Sequence, residues 1–352
     1  MRGRSLAAGL MSLCLYAAPA LGQITVLDSA QDGGGLIESG VPALSNEASQ
    51  ADTPPPICGT QDLTIARMSW SSAALLAEIH ARVLAEAFGC TVRVVPGDLA
   101  ATTSSMGSTG QPAIAPEMWV TRVADVWNAA IQSQMVRSAA PSFAEATMEG
   151  WFAPSYLNGA FAGSVPVAEL AASLAEGEGT EPVRFISCPA DWACAVINRH
   201  LIEAHGLGGV TELVEPANRF EMDALIAEAV SRRETFFFYY WQPNAVLAQV
   251  EFRALDMGEY KEEAMACLAR IECASPQPSA FPSEMVVGAL AEWVFAEAPA
   301  IAGYFQRVSF PLSEMNTLLA QLNEPEASVE SVAERFVANR RDLWEPWTGG
   351  AP

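Results

Sequence analysis

The chain has 352 residues, 51% of them hydrophobic, which is enough for one large or two medium folded domains. Its 41 acidic and 19 basic side chains give a formal net charge of -22, which disfavours binding to nucleic acid and to anionic lipid. The same acidity mildly favours a cationic ligand, although solubility alone accounts for most of it.

The N-terminus resembles a secretory signal peptide. Two arginines lie within the first four residues, and residues 6–18 are an apolar stretch too short to span a bilayer. Small residues follow and allow cleavage after Ala20 or after Gly22, so we predict a signal peptide over residues 1–22 and a periplasmic location. A retained membrane anchor is the alternative.

A disordered tether is predicted over residues 23–57, where glycine, proline and small polar residues dominate without helix or strand periodicity. Folded structure is predicted to begin at Cys58. From there, strand and helix signals alternate along the chain.

The first half of the folded part opens with a strand–helix–strand unit. Ser71 or Ser72 is predicted to cap its helix and Gly89 to end it. The elements predicted here are strands over residues 63–68, 91–95 and 113–115, the helix that precedes Gly89, and a second helix over residues 120–136.

The second half continues the alternation. It is predicted to contain strands over residues 183–186 and 236–240 and helices over residues 193–204, 222–231, 283–297 and 312–322. Strands alternating with helices indicate two α/β lobes with largely parallel sheets and right-handed crossovers.

Disulfides are the expected state of cysteines in an exported protein. The chain has seven, and removal of Cys14 with the signal peptide leaves an even number. Two pairs close short loops and the third brackets the first strand–helix unit, which gives Cys188 with Cys194, Cys267 with Cys273, and Cys58 with Cys90. A metal site is the alternative, but no Cys-x-x-Cys pair or histidine cluster supports one, and no cofactor is predicted.

Several of the nine tryptophans lie where ligands usually bind in α/β sheets, beyond the carboxyl ends of strands. Those that follow predicted strands are Trp70, Trp119, Trp192 and Trp241, and Trp151 lies near the expected crossing between lobes. A single tryptophan usually packs in a core, but their joint placement favours a shared aromatic cage. Aromatic faces attract cations, above all a quaternary ammonium group that has no N–H to donate.

The chain resembles the substrate-binding proteins of ABC importers for glycine betaine and related quaternary amines. The matching segments are residues 65–70, 95–98, 103–106, 116–119, 149–152, 188–194 and 239–243, together with the Cys267 and Cys273 pair. The tryptophan bracketed by cysteines and the Tyr-Tyr-Trp-x-Pro segment are the most specific of them. The resemblance extends from about Cys58 to Trp347.

The resemblance implies a bilobal periplasmic binding fold, type II-like, whose two α/β lobes are joined by a two-strand hinge and close on the ligand. It places residues 58–148 and 240–352 in lobe 1 and residues 149–239 in lobe 2. It also implies a box of tryptophans around a trimethylammonium group.

Site residues follow from the same resemblance. Trp119, Trp192 and Trp241 match walls of the box, and Trp70 is expected to add another. Trp151 is a further candidate. The backbone N–H groups of Ala193 and Cys194, at a helix N-terminus, are expected to bind a ligand carboxylate.

Two acidic residues leave the identity of the ligand open. Asp191 occupies a position where the family usually has glycine, and it would disfavour a ligand carboxylate if it faced the pocket. Glu149 would donate a hydrogen bond to an N-oxide if protonated and would pair with a cation if ionised. Trimethylamine N-oxide, choline, carnitine and dimethylsulfoniopropionate therefore remain alternatives to glycine betaine.

The expected function is capture of a methylated amine for an ABC permease and its ATPase in the inner membrane. A ligand-binding sensor without a transport role is the alternative. An enzyme is not expected, because the sequence has no G-x-S-x-G elbow, no H-E-x-x-H and no nucleotide-binding glycine pattern.

Overall fold

The structure is a computed structural model that describes residues 56–158, 161, 166–175, 181–248 and 251–350. The predicted signal peptide, Cys14 and nearly all of the predicted tether lie outside these ranges. Within them, no helix combines the length and apolar character that a membrane span requires.

Two five-stranded sheets organise the chain. With strands numbered in chain order, the first sheet contains β1 (Leu63–Arg67), β2 (Val92–Pro96), β3 (Ile114–Trp119), β4 (Val136–Pro141) and β10 (Val286–Ala291). Their spatial order is β2-β1-β3-β10-β4. β1 runs parallel to β2 and β3, whereas β10 is antiparallel to β3 and β4.

The second sheet repeats this arrangement. It contains β5 (Glu149–Pro154), β6 (Val183–Ile186), β7 (Thr211–Val214), β8 (Phe236–Trp241) and β9 (Phe252–Ala254). Their spatial order is β7-β6-β8-β5-β9, with β6 parallel to β7 and β8 and with β5 antiparallel to β8 and β9.

Helices connect the strands and flank the sheets. They are α1 (Ser71–Phe88), α2 (Leu99–Thr109), α3 (Ala124–Gln132), α4 (Val167–Ala175), α5 (Ala193–Ala204), α6 (Arg219–Ser231), α7 (Glu262–Leu268), α8 (Glu292–Glu297), α9 (Pro299–Arg307), α10 (Leu312–Gln321), α11 (Val329–Asn339) and α12 (Arg341–Trp344). Short 3-10 turns occupy Val120–Val123, Ala245–Ala248 and Glu345–Thr348.

Each sheet has its own hydrophobic core, which confirms the predicted fold class of two α/β lobes. In the first lobe, α1 buries Leu75, Ile79 and Val83 in the same core cluster as Ile65 of β1. In the second, the aromatic strand β8 stacks on its neighbours, with the Phe185 and Phe237 rings 4.6 Å apart. Burying such side chains contributes on the order of 2 kcal/mol each.

Within the described ranges, the strands change from the first sheet to the second between β4 and β5 and return to the first between α7 and β10. The prediction assigned residues 240–352 to lobe 1, but β9 pairs with β5 in the second sheet and α7 packs on α5. A short part of this stretch contacts the first lobe before β9 begins. There the N–H of Asn244 donates to Oδ1 of Asn316 on α10 at 2.7 Å. The 3-10 turn Ala245–Ala248 packs on the same helix.

Two predicted helices were wrong in part. Residues 120–136 form a 3-10 turn and α3, and β4 begins at Val136. Residues 283–297 contain β10 before α8 begins at Glu292. All six residues of β10 are buried, so its apolar run lacks the alternation that distinguishes a strand from a buried helix.

The three predicted disulfides are present. Cys58–Cys90 spans a sequence separation of 32 and ties the segment before β1 to the end of α1. Cys188–Cys194 and Cys267–Cys273 each span a separation of 6. The first of these short loops carries Trp192 and leads into α5.

Candidate functional site

A cavity of about 570 Å³ lies between the two lobes, where strand ends of both sheets converge. Both lobes line it with half-buried tryptophans, Trp70 and Trp119 from the first and Trp192 and Trp241 from the second. Its volume falls in the range of small-molecule sites. The structure therefore brings together the four tryptophans that follow predicted strands.

The two first-lobe walls share one hydrogen-bond acceptor, Glu117. Its Oε1 accepts from Nε1 of Trp70 at 2.7 Å and from Nε1 of Trp119 at 2.9 Å. The hydroxyl of Ser72 donates to the same oxygen at 2.9 Å. Sequence reasoning missed Glu117, although its position two residues before Trp119 in a strand places both on one face.

The predicted serine cap of α1 was wrong. The helix begins at Ser71, so Trp70 is the N-cap residue, and it makes no side-chain capping hydrogen bond. The hydroxyl of Ser72 instead donates a hydrogen bond to the buried Glu117. A buried carboxyl without donors would cost free energy, so this bond offsets part of the cost of burying Glu117.

Stacking positions the second-lobe walls. Trp241 lies on the ring of Tyr240, with centroids 4.7 Å apart and planes 15° from parallel. Tyr240 is fixed in turn because its hydroxyl donates to Asp223 at 2.5 Å. Trp192 faces Trp241 with centroids 5.6 Å apart and planes inclined by 53°, which forms an angular corner of the cavity.

Trp70 and Trp192 occupy equivalent places in the two lobes. Each is the N-cap residue of a helix, with φ of -90° and ψ of 153° and 149° respectively. The next residues, including Ala193 and Cys194, line the cavity. The first N–H groups of a helix have no intrahelical partner and attract negative charge, so both lobes can offer donors to an anionic ligand group.

Glu149 lies at the start of β5, directly across the ladder from Trp241. Its Oε1 accepts a hydrogen bond from the hydroxyl of Tyr239 at 2.5 Å. Burial raises the pKa of Glu149, while the Tyr239 bond and the charge of Arg122 partly oppose this rise. The cavity thus contains a carboxyl that loses its charge at a higher pH than a free glutamate does.

Two arginines that sequence reasoning missed reach the same walls from the cavity edge. Cζ of Arg122 lies 4.6 Å from the Trp119 ring centroid, and its Nε lies 3.0 Å from Oε1 of Glu284. Cζ of Arg219 lies 5.9 Å from the Trp241 centroid. Both side chains lie on aromatic faces at distances typical of cation–π contacts.

Comparison with known proteins shows the family to which the chain belongs. The sequence profile described as "Substrate binding domain of ABC-type glycine betaine transport system" matches residues 61–339. The chain belongs to this family. It is therefore the substrate-binding part of an ABC-type transport system.

Solved structures of similar binding proteins show the same fold. Lactococcal OpuAC, closed on glycine betaine, aligns with a TM-score of 0.51 at 14% identity over 82% of this chain and 100% of that one. Apo YehZ from Escherichia coli gives 0.54 at 14% identity over 80% and 99%. A glycine betaine/carnitine/choline ABC transporter protein gives 0.53 at 12% identity over 80% and 100%.

One predicted ligand-binding residue of this binding protein does not line the cavity. Trp151 is fully buried in the second core, where its Nε1 donates to Oδ1 of Asn198 at 2.8 Å. It lies two residues further into β5 than Glu149, beneath α5, and therefore packs in the core. Asp191 is exposed and also lies outside the cavity lining, so its carboxylate faces solvent.

Proposed function

We propose that this binding protein captures a methylated amine in the periplasm and delivers it to an ABC permease and its ATPase in the inner membrane. The observation that carries the proposal is the convergence of four half-buried tryptophans from both lobes on one cavity. Export is supported by the signal-peptide features of residues 1–22. Both observations support a protein that captures a small cation outside the cytoplasm.

The cage accounts for most of a micromolar affinity. A desolvated cation–π contact contributes up to about 2 kcal/mol, so three or four walls contribute roughly 6–8 kcal/mol before the cost of closure. A dissociation constant of 1 µM corresponds to about 8 kcal/mol. A polar contact at the other end of the ligand is therefore needed as well.

Glycine betaine is the ligand that best fits the polar groups. Its trimethylammonium group has no N–H, so it suits aromatic faces, which provide no hydrogen-bond acceptor. Its carboxylate suits the backbone N–H groups of Ala193 and Cys194. Because Asp191 is exposed to solvent, its negative charge does not oppose this carboxylate inside the cavity. Choline, carnitine, trimethylamine N-oxide and dimethylsulfoniopropionate are the alternatives for the same cage.

A thermal-shift screen tests the proposed function. Each of these five compounds would be added to the purified protein, with unmethylated glycine as the control for glycine betaine. A ligand at a hundred times its dissociation constant stabilises the folded state by about 2.7 kcal/mol, which raises the melting temperature. We expect a shift with glycine betaine and none with glycine. No shift with any of the five, or an equal shift with glycine, would overturn the proposal.

The pH dependence of binding distinguishes the ligand classes through Glu149. Its raised pKa means that its negative charge is lost earlier than usual as pH falls. A cation such as choline gains from that charge, so its affinity should fall as pH drops through this pKa, by at most about tenfold per pH unit. Trimethylamine N-oxide instead accepts a hydrogen bond from the protonated carboxyl, so its affinity should rise.

Calorimetry between acidic and neutral pH measures both trends, and Glu149→Gln is the control because it removes the titrating group. Any dependence that remains in this variant belongs to other groups, including Glu117. Parallel trends for the two ligands in the unaltered protein would contradict the role assigned to Glu149.

A further inference from the structure

Glu117 lies beneath the first-lobe half of the cage and does not itself line the cavity. Its side chain is fully buried. One oxygen, Oε1, accepts all three hydrogen bonds, from Trp70, Trp119 and Ser72. Within the described residues, the other oxygen is buried without a partner.

Only Oε1 of the Glu117 carboxyl therefore accepts hydrogen bonds from the described residues. Burial raises the pKa of Glu117 to about 7, and the bonds from the two indoles and Ser72 limit the rise. Near neutral pH both protonation states are therefore populated, and in both of them Oε1 can still accept. A role that depends on Oε1 alone does not require the charge.

The side chains of Trp70 and Trp119 need a contact that holds them in place, because both are half-buried at the cavity edge. A side chain in that position is free to adopt other rotamers unless a contact holds it. The second-lobe walls are held differently, through the stacking of Trp241 on Tyr240 and the disulfide loop around Trp192. Trp70 and Trp119 instead share Glu117 as a hydrogen-bond acceptor.

We propose that Glu117 is a positioning residue of the cage, whose Oε1 fixes both first-lobe indoles so that their faces point at the cavity before a ligand arrives. The inference rests on the proposed function for its binding consequences. Its structural content, the coupling of two indoles through one oxygen, can be measured without any ligand.

The test compares Glu117→Gln, which keeps an acceptor oxygen in place, with Glu117→Leu, which removes it. We expect Glu117→Gln to bind glycine betaine within about threefold of the unaltered protein and Glu117→Leu to bind at least about tenfold more weakly. Near-UV circular dichroism of the ligand-free proteins should show altered tryptophan signals in Glu117→Leu alone. The control is Thr64→Val, which removes another buried hydroxyl of the first lobe; this hydroxyl bonds Gln111 and the N–H of Ala113, none of the three lines the cavity, and the variant should change neither readout.

Full affinity in Glu117→Leu would overturn the proposal, as would an equal loss in Glu117→Gln, because charge and not acceptor geometry would then matter. If Glu117→Leu does not fold, hydrogen exchange of the indole N–H groups in the unaltered protein decides. Both Trp70 and Trp119 should be protected although their rings are half-exposed, and rapid exchange of both would refute the shared bond. Because exchange and dichroism need no ligand, they separate this inference from a failure of the proposed function.

Discussion

Replacing Trp192 with alanine will raise the dissociation constant for a quaternary amine at least about tenfold, because one desolvated cation–π wall contributes up to about 2 kcal/mol and 1.4 kcal/mol corresponds to a factor of ten. The loss should also loosen Trp241, whose ring lies against Trp192. Calorimetry with the best ligand of the thermal-shift screen measures the effect.

Trp293→Ala is the matched control. Trp293 is also half-buried and also uses its indole N–H, in a bond to the carbonyl of Gly110 at 2.9 Å, but it lies outside the cavity. Its loss should lower the melting temperature without changing the affinity. Unchanged binding in Trp192→Ala, or equal losses in the two variants, would refute the cage.

Removing the Cys58–Cys90 disulfide will destabilise the protein more than removing Cys188–Cys194. The loop-entropy relation gives about 4 kcal/mol for the separation of 32 and about 2 kcal/mol for the separation of 6. Denaturant unfolding of the two paired Cys→Ser variants measures the difference in the free energy of unfolding.

Ligand affinity should depend on the two disulfides in the opposite order to stability. The Cys188–Cys194 loop carries Trp192, so opening it frees a wall of the cage, whereas Cys58–Cys90 lies at the far end of α1 from Trp70. We therefore expect weaker binding only in the Cys188→Ser/Cys194→Ser variant. If both variants bind as the unaltered protein does, the loop does not position Trp192.

The sequence was sufficient to group the four tryptophans that line one cavity, because the position of each depends on a local signal. A strand, its end and a following helix can be read from periodicity, and the rule that ligands bind at strand ends then groups Trp70, Trp119, Trp192 and Trp241. Trp151 was a candidate on other grounds, its position near the expected crossing between lobes, and it does not line the cavity. Its position near a predicted crossing gave no sign that β5 begins at Glu149 and carries Trp151 into the core.

Other features depend on contacts between distant parts of the chain. Glu117 meets Trp70 across 47 positions, and Arg122 meets Glu284 across 162, so no local pattern predicts either pair. β10 was missed for another reason: a strand buried on both faces carries no alternation. Its partners β3 and β4 become apparent only when the sheet is assembled.

The bond from the Asn244 N–H to Asn316 bears on how the cavity would empty. Asn244 follows Trp241 by three residues, so this wall belongs to the second sheet and is also tethered to α10 of the first lobe. Any separation of the lobes would have to break this bond or carry α10 along with it, so the position of Trp241 depends on a helix of the opposite lobe.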